Sequence, residues 1–401
     1  MISMTRLGRW IVICFCLTIC CSCAFAESVI SLSGPGYDAL RYACTLPDGR
    51  MIFSGYRGEI GNYQETKARL LCLNPDKTVS WEYWDPADGQ AAFNAVILQK
   101  DGTLGVFYAN SPYQTLKDRK LHFFTTEGEP LEKTVDLYRA DSLLTPVGLS
   151  CLEMTVIPGD ATEYYHHFLD WDGKELFKIS SEEKIAAFHP FEAENGLVLA
   201  GHEPTWPANA KIMKLDLKGD IIWETVLPAH LEVSPDASLE WSIQTSDGGY
   251  LALYHETSWL SDDIAPQRYK ALVKFDQNGR LLWMNHESFP AENNPICHGL
   301  SEYKGKYVME LSTCADYFDV RNPRIFCWFD ENGHELGRTE LQIRREDLDV
   351  PEDTERIENV GGMFVMMQDG LWSLRDIWTA DDDHMAKMDS RDEILFKVPE
   401  L

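Results

Sequence analysis

The sequence predicts an all-β protein that is built by repeating one structural unit. A short pattern recurs seven times between Tyr37 and Leu401: an apolar strand, a tight turn, a second apolar strand, a variable loop, and a closing hairpin around Asp-x-x-Gly. Many of the tight turns carry Asp-Gly, Asn-Gly or Gly-Gly, which accept positive φ at little cost. A unit of this size cannot bury its own apolar face, so the copies must stack on one another.

The closing hairpin is the clearest part of the repeat. The strongest copies read AKIMKLDLKGDIIWETVLP from Ala210, YKALVKFDQNGRLLWMNHES from Tyr269 and RIFCWFDENGHELGRTEL from Arg324. Weaker copies complete the series of seven. The turn position of the seven copies is occupied by Lys77, Gly128, Gly173, Gly219, Gly279, Gly333 and Asp392.

The unequal spacing of these turns decides between two repeat architectures. Successive turn positions are 45 to 60 residues apart. A solenoid requires each coil to match the next, whereas a propeller blade tolerates rim loops of different length. Two hairpins in series make a four-stranded antiparallel blade with strands A to D. The sequence therefore predicts a seven-bladed β-propeller.

The predicted blades fill the chain after residue 26 as a single domain. Their approximate ranges are 38–86, 90–139, 141–181, 184–229, 237–289, 293–343 and 353–400. The third blade is expected to be degenerate, because its first hairpin lacks a clean turn dipeptide and because Pro146 and Pro158 restrict strand pairing. Residues 28–33 have two alternatives: an extra strand that pairs with residues 393–398 at the seam, or a free lead-in.

A large ring lies four residues after the turn position in five of the seven copies. These residues are Trp81, Phe177, Trp223, Trp283 and Phe396. A ring at one fixed place in each blade is expected to pack as a wedge between neighbouring blades.

Residues 1–26 are predicted to be a secretory signal peptide. A basic start precedes a short apolar core, and Ala24-Phe25-Ala26 has the small-x-small form of a cleavage site. The core is too short for a membrane span. Cleavage before Glu27 is preferred, and a lipoprotein signal with an acylated Cys23 is the alternative. The mature chain is therefore expected to be secreted or held at the cell surface.

The chain is strongly acidic, with 64 Asp and Glu against 36 Lys and Arg and a formal net charge of −28 at pH 7. Such a field repels nucleic acid and anionic membranes. No stretch after the signal has 18 uninterrupted apolar residues, so no membrane span is expected. A monomer that does not bind nucleic acid is predicted.

Six cysteines follow the predicted signal, too few in this length to form a disulfide framework. Strand pairing about residues 304–305 places Cys297 diagonal to Cys314, and export would allow a disulfide between them. Buried free thiols are the alternative.

The stretch DGGYLALYH, followed by ALVKFDQNGRLLWMNHES, resembles the repeat of secreted bacterial quinoprotein-like propellers. In that family, a strand after DGG leads into a K-x-D-x-x-G-x-x-x-W hairpin. The matching residues are Gly248, Gly249, Lys274, Asp276, Gly279 and Trp283, with Lys214, Asp216, Gly219 and Trp223 in the preceding copy. The resemblance implies the propeller fold. Quinone-dependent alcohol dehydrogenases of this fold carry an adjacent Cys-Cys pair, and the pair here, Cys20-Cys21, lies in the signal. No cofactor is therefore expected.

The loops of the repeat differ between the two rims. The A–B and C–D turns are short, whereas the B–C loops are expected to be long, at 57–67, 110–119, 203–209, 255–268, 315–323 and 368–383. They carry seven aromatic residues: Tyr63, Tyr113, Trp206, Trp259, Tyr317, Trp372 and Trp378. Aromatic residues gathered on one loop-built face are typical of recognition surfaces. The alternative is that these rings fold back onto the blades.

These observations predict a non-enzymatic binding protein, because no convergent catalytic set is visible. The expected ligand is a protein, peptide or glycan that contacts the long-loop face. The alternative is a polysaccharide-active hydrolase or lyase with channel carboxylates, which lie about 5 to 10 Å apart in glycosidases. A quinone-dependent dehydrogenase is a third hypothesis. The Asp-x-Asn-Gly turns resemble the start of a calcium loop, but later ligand positions are wrong in all but one, so no metal site is predicted.

Overall fold

The chain forms an all-β structure. The computed structural model describes residues 29–32, 37–59, 62–86, 91–110, 119–137, 141–145, 148–157, 161–180, 185–193, 196–204, 208–231, 235–258, 267–286, 296–312, 323–344, 348, 356–380 and 388–401, and for some strand residues it describes the backbone alone. These residues form 28 β-strands and no helix. Among them there is accordingly no helix with the length and hydrophobicity needed to cross a membrane.

The strands fall into groups of four that follow the order of the chain. Group 1 contains β2 (Tyr37–Thr45), β3 (Met51–Glu59), β4 (Asn62–Leu73) and β5 (Val79–Trp84). Group 2 contains β6 (Ala91–Leu98), β7 (Leu104–Asn110), β8 (Arg119–Phe124) and β9 (Pro130–Leu137). Group 3 contains β10 (Asp141–Thr145), β11 (Gly148–Ile157), β12 (Ala161–Leu169) and β13 (Glu175–Ser180).

The second half of the chain continues the series. Group 4 contains β14 (Ala186–Ala193), β15 (Gly196–His202), β16 (Ala210–Leu215) and β17 (Ile221–Leu227). Group 5 contains β18 (Pro235–Gln244), β19 (Tyr250–Ser258), β20 (Gln267–Phe275) and β21 (Leu281–Asn285). Group 6 contains β22 (Ile296–Tyr303), β23 (Lys306–Ser312), β24 (Arg324–Phe329) and β25 (Glu335–Leu341). Group 7 contains β26 (Arg356–Met367), β27 (Gly370–Ala380), β28 (Met388–Lys397) and the N-terminal β1 (Val29–Ser31).

Neighbouring strands within each group pair antiparallel and in sequence order, apart from β1. Groups 2 to 6 are separate sheets, whereas groups 1 and 7 share a sheet through one parallel pairing between Tyr37 and Arg391. The first strands of successive groups contact one another, and the contact between β26 and β2 closes the cycle. Sheets arranged radially around their first strands form a β-propeller. The predicted all-β architecture of four-stranded antiparallel sheets is confirmed.

The N-terminal strand completes the last group. In β1, Val29 pairs with Phe396, and Ile30 pairs with Leu395 of β28. The alternative of an extra strand at the seam is therefore the correct one. The closing hairpin expected around Asp392 is wrong, because β28 continues through this residue, which pairs with Ile377. That copy has no glycine at its turn position, and β1 supplies the strand that the missing hairpin would have supplied.

Group 3, which was expected to be degenerate, has a complete four-stranded ladder. Pro146 and Pro158 fall between strands, outside the described residues, so neither interrupts the pairing. The group differs from the others in its short first strand, β10, which contains no bulge.

The predicted aromatic wedges join neighbouring groups. Trp223 of group 4 covers Gly279 of group 5, where an added Cβ would lie 2.3 Å from the ring. Trp283 covers Gly333 of the next group in the same way and donates from Nε1 to the carbonyl of Glu331 at 3.0 Å. Equivalent contacts join Trp81 to Gly128 and Phe177 to Gly219, whereas Phe396 packs with Val29 and Ile343 instead. The wedge prediction is confirmed for these four rings.

Candidate functional site

Most of the aromatic residues predicted to bind ligand lie where the structure gives no test. Tyr113, Trp206, Trp259 and Tyr317 lie outside the described residues. Tyr63 and Trp378 lie in β4 and β27, so the expectation that they belong to loops is wrong. Only their backbone is described. Their part in binding stays a prediction.

Trp372 is a core residue, and its prediction as a loop residue is wrong. It lies in β27, is fully buried, and donates from Nε1 to Asp369 at 3.1 Å. The error arises from Gly361-Gly362, which resembles a hairpin turn in the sequence. The turn is actually at residues 368–369, between β26 and β27, and the two glycines form a bulge within β26. The strand that follows therefore begins later than expected.

The two rims differ as predicted, apart from groups 1 and 3. On one rim, each A–B or C–D turn is at most five residues long, as at 46–50 and 276–280. On the other rim, the B–C connections include 111–118, 259–266 and 313–323. In group 1, β3 and β4 extend so far that only residues 60–61 connect them, and in group 3 only residues 158–160 connect β11 and β12. We call this second rim the long-loop rim.

Six of the seven first strands contain a bulge partway along their length. We call the inserted residues the bulge ring: Arg41, Asn94, Phe188, Trp241 with Ser242, His298, and Gly361 with Gly362. A bulge redirects a side chain, and bulges are frequent beside active sites. Because the first strands line the centre of a propeller, the bulge ring places these residues around the central channel.

Trp241 is the most unusual member of the bulge ring. Its φ is 46°, and its side chain is 37% exposed although it lies on an innermost strand. Positive φ is rare for bulky residues, and strained backbone of this kind clusters at functional sites. An exposed indole next to the channel provides a flat apolar surface for a ligand.

Buried polar atoms accompany the bulge ring. Ser54 Oγ, Asn94 Oδ1 and Ser242 Oγ have no hydrogen-bond partner among the described residues. Asn94 and Ser242 are ring members, and Ser54 pairs with the residue that follows Arg41. Buried polar groups in proteins are nearly always paired, so these three atoms distinguish the first strands and their neighbours from the ordinary blade core.

His298 belongs to a polar cluster on the face of group 6 that meets group 7. Its Nε2 lies 2.7 Å from Arg324 Nη1 and 2.7 Å from Ser312 Oγ. An arginine can only donate, so Nε2 accepts and the proton is on Nδ1. Burial, together with the positive charges of Arg324, Arg375 and Lys270, lowers the pKa of His298 to about 2. The imidazole is therefore neutral at physiological pH.

An ion pair joins groups 6 and 7 next to this cluster. Glu310 and Arg375 are ion-paired and almost completely buried, and Ser373 Oγ donates to Glu310 at 3.2 Å. Burial lowers the pKa of Arg375 to about 9 and that of Arg324 to about 10, so both remain charged near neutral pH. The carboxylate of Glu310 is therefore occupied by contacts that join groups 6 and 7.

Other carboxylates near the long-loop rim are also committed to structural contacts. Glu256 is fully buried and accepts hydrogen bonds from the backbone N–H groups of His230 and Leu231 and from Tyr254 Oη. Glu240 lies 3.2 Å from His255 Nδ1. These contacts hold the connection between β17 and β18 and the face of group 5. Because of these contacts, Glu256 and Glu240 are better placed to hold loops than to transfer protons.

The calcium-like turns have a structural role in the described residues. Asp276 Oδ1 accepts hydrogen bonds from the N–H groups of Asn278 and Arg280, both at 2.9 Å, and Asp216 and Asp330 make equivalent bonds. The N–H groups of Asp220 and Lys218 lower the pKa of Asp216. Among the described residues, no group of three or more His, Cys, Asp and Glu side chains is placed to hold a metal.

The disulfide predicted between Cys297 and Cys314 is not supported. Cys297 is buried in β22 with a free thiol, whose Sγ lies 3.6 Å from the carbonyl oxygen of Gly299. Burial raises the pKa of this thiol to about 12. Cys314 lies outside the described residues. The alternative of a buried free thiol describes Cys297.

Comparisons with known proteins establish a shared fold and no family. No protein-family model matches the chain, and no curated protein matches its sequence. A crystal structure of the polysaccharide lyase Uly1 is similar with a TM-score of 0.51 and 9% sequence identity, covering 93% of this chain and 99% of the lyase chain. This similarity shows a common fold over nearly the full length of both chains.

Two other solved structures are less similar. The WD40 domain of SCAP from fission yeast has a TM-score of 0.34 at 8% identity, covering 92% of this chain and 97% of that domain. A europium-containing methanol dehydrogenase has a TM-score of 0.38 at 8% identity, covering 92% and 93% of the two chains. At these scores neither extends the quinoprotein-like resemblance beyond the repeat itself.

Sequence reasoning missed the bulge ring. A bulge inserts one residue and shifts the alternation of buried and exposed positions. In β18, however, the bulge contains two residues, Trp241 and Ser242, and the run LEWSIQ keeps a regular alternation of apolar and polar residues. The sequence of β18 therefore gives no signal of this bulge.

Proposed function

We propose that this chain is an exported, seven-bladed β-propeller that binds a polysaccharide at the long-loop end of its central channel, without cleaving it. The four-strand groups are its blades, and β1 closes the ring. The cyclic contact of the first strands supports this blade number.

The observation that carries the proposal is the bulge ring. It combines an exposed indole, Trp241, with the polar atoms of Asn94, Ser242 and His298 on the innermost strands. Sugar rings present apolar faces edged by hydroxyl groups, so their binding sites combine an aromatic platform with hydrogen-bonding groups. The similarity to a polysaccharide lyase chain over 93% of this sequence fits a ligand of that class.

The described residues favour binding over cleavage. Proton transfer requires a group that can accept or release a proton near neutral pH. His298 Nε2 accepts a hydrogen bond from Arg324, which can only donate. This histidine is therefore a poor base. Glu310 is paired with Arg375, and Glu256 is occupied by backbone N–H groups.

The aromatic loop residues extend the proposed site onto the rim. Trp206 and Trp259 belong to B–C connections of groups 4 and 5, and group 5 also carries Trp241. We expect these loop residues to lengthen the surface that contacts the polymer. Replacing Trp206 and Trp259 with Ala should weaken retention of the polymer without unfolding the protein.

The experiment is a retention screen with residues 27–401. Neutral and acidic polysaccharides are immobilised, and the wild type is compared with the double loop variant Trp206→Ala/Trp259→Ala and with Leu336→Asn, an exposed residue on an outermost strand. We expect one polymer class to retain the wild type and Leu336→Asn, with weaker retention of the loop variant. The released fraction is assayed for reducing ends and unsaturated products. Absence of retention would refute the proposal, and product formation would establish an enzyme instead.

A further inference from the structure

We infer that His298 is a ligand-binding residue that donates a hydrogen bond from Nδ1–H to an acceptor oxygen in the central channel. The identity of the ligand as a polysaccharide rests on the proposed function. The chemistry at His298 follows from its own surroundings.

The tautomer of His298 is determined by its neighbours. Arg324 Nη1 lies 2.7 Å from Nε2 and has only N–H groups to offer, so Nε2 must be unprotonated. Ser312 Oγ lies 2.7 Å from the same nitrogen and is therefore a donor as well. A neutral imidazole in this arrangement carries its proton on Nδ1. The two neighbours thus make Nδ1 the only nitrogen that can donate.

The inferred contact of this donor with a ligand rests on the position of His298. It is the inserted residue of the bulge in β22, between Cys297 and Gly299. His298 is partly exposed, whereas Ser312 and Arg324 are each 1% exposed. No described residue forms a hydrogen bond with Nδ1. Because β22 is an innermost strand, its bulge brings this residue next to the central channel.

Burial and the charges around His298 keep it neutral, and the charges favour an electron-rich partner. Arg324 on β24, Arg375 on β27 and Lys270 on β20 all oppose protonation of the ring. Glu310 on β23 is paired with Arg375. An imidazole surrounded by cations donates well to a carbonyl, hydroxyl or carboxylate oxygen and poorly tolerates a cationic ligand group. The site therefore favours acceptor oxygens near neutral pH.

Nitrogen-15 NMR of the histidine side chains tests the inference on the mature wild-type protein. We expect His298 to show the Nδ1–H tautomer with no titration between about pH 5 and 8, unlike a free histidine with a pKa of about 6.5. Acetate serves as the acceptor probe and methylammonium as its cationic control. Acetate should shift the Nδ1 resonance in a saturable way, and methylammonium should not.

Two substitutions connect the donor to the polymer. His298→Asn places an N–H near the position of Nδ1, whereas His298→Leu removes it. For a polysaccharide that retains the wild type, we expect His298→Leu to weaken binding about tenfold, the value of one hydrogen bond, and His298→Asn to retain most of the affinity.

The outcomes separate this inference from the proposed function. An Nε2–H tautomer, an imidazolium at pH 6, or no saturable response to acetate would overturn the role of His298. Equal binding of the polymer by wild type and His298→Leu would also overturn it and leave polysaccharide binding intact. A response to acetate in a protein that retains no polysaccharide would uphold the donor and reject the proposed ligand.

Discussion

The contact between Trp223 and Gly279 provides a quantitative test of how the blades are joined. Gly279 has a φ of 78°, and a Cβ added there would lie 2.3 Å from Cε3 of the Trp223 ring. In addition, Thr225 Oγ1 donates to the Gly279 carbonyl at 2.7 Å, which holds the turn against the preceding group. Gly279→Ala therefore combines two costs, a strained backbone and a clash with the wedge.

The two costs can be measured separately, because substitution of a matched glycine incurs only the cost of the strained backbone. Gly102 has a φ of 86° and no atom within 4 Å of an added Cβ. An alanine in the left-handed region costs about 1–2 kcal/mol, which applies to both positions. Overpacking the wedge adds about 1–3 kcal/mol at Gly279 alone. We expect Gly279→Ala to lower the free energy of unfolding by about 2–5 kcal/mol in total.

Urea denaturation of the two variants, followed by far-UV circular dichroism, measures the difference. A double-mutant cycle with Trp223→Leu should recover the extra loss at Gly279, because the smaller side chain leaves room for the methyl group. Equal destabilisation by Gly279→Ala and Gly102→Ala would show that the ring does not confine the turn, and the wedge account would be wrong.

Two further predictions concern ion pairs. Arg375→Met should destabilise the protein by about 3–5 kcal/mol, because it leaves Glu310 buried without its cation; the double variant Glu310→Leu/Arg375→Met should recover part of the loss in the same urea assay. Burial acts to raise the pKa of Asp247, but hydrogen bonds from Lys274, Thr245 and the Gly249 N–H lower it to about 2. Because the folded pKa is below the unfolded value of 3.8, Asp247 stabilises the fold above about pH 4, and this contribution is lost as the pH falls towards 2. Urea midpoints between pH 5 and 2 should fall more for wild type than for Asp247→Asn, and parallel curves would contradict the assignment.

The repeat predicted from sequence was accurate where turn chemistry and packing agree. At six turn positions, Lys77 and five glycines have φ between 72° and 87°, as the Asp-x-x-Gly pattern requires. The rings of Trp81, Trp223 and Trp283 occupy equivalent places because each covers the turn of the next group. These features depend on short-range geometry, which the sequence encodes directly.

The errors occurred where one local signal has two structural meanings. Gly361-Gly362 has the composition of a hairpin turn, yet in β26 it forms a bulge. Asp392 was assigned to a turn from a faint copy of the hairpin pattern, and the pairing of β28 with the distant β1 replaced the missing hairpin. That pairing was one of two alternatives for residues 28–33, because a local pattern does not decide between long-range strand partners. The same limit applies to His298, whose tautomer depends on Arg324 from another strand.

The affinity of the mature protein for its retained polysaccharide, measured by isothermal titration calorimetry on wild type, Trp241→Asn and Leu336→Asn, tests the central claim most directly. Asparagine tolerates the positive φ of Trp241, so this change removes the ring without adding backbone strain. If the bulge ring binds the polymer, Trp241→Asn should weaken binding by about 2 kcal/mol or more, roughly 30-fold, as expected for an aromatic hot spot. Leu336→Asn should bind like the wild type. Unchanged affinity in Trp241→Asn would show that the channel is not the binding site.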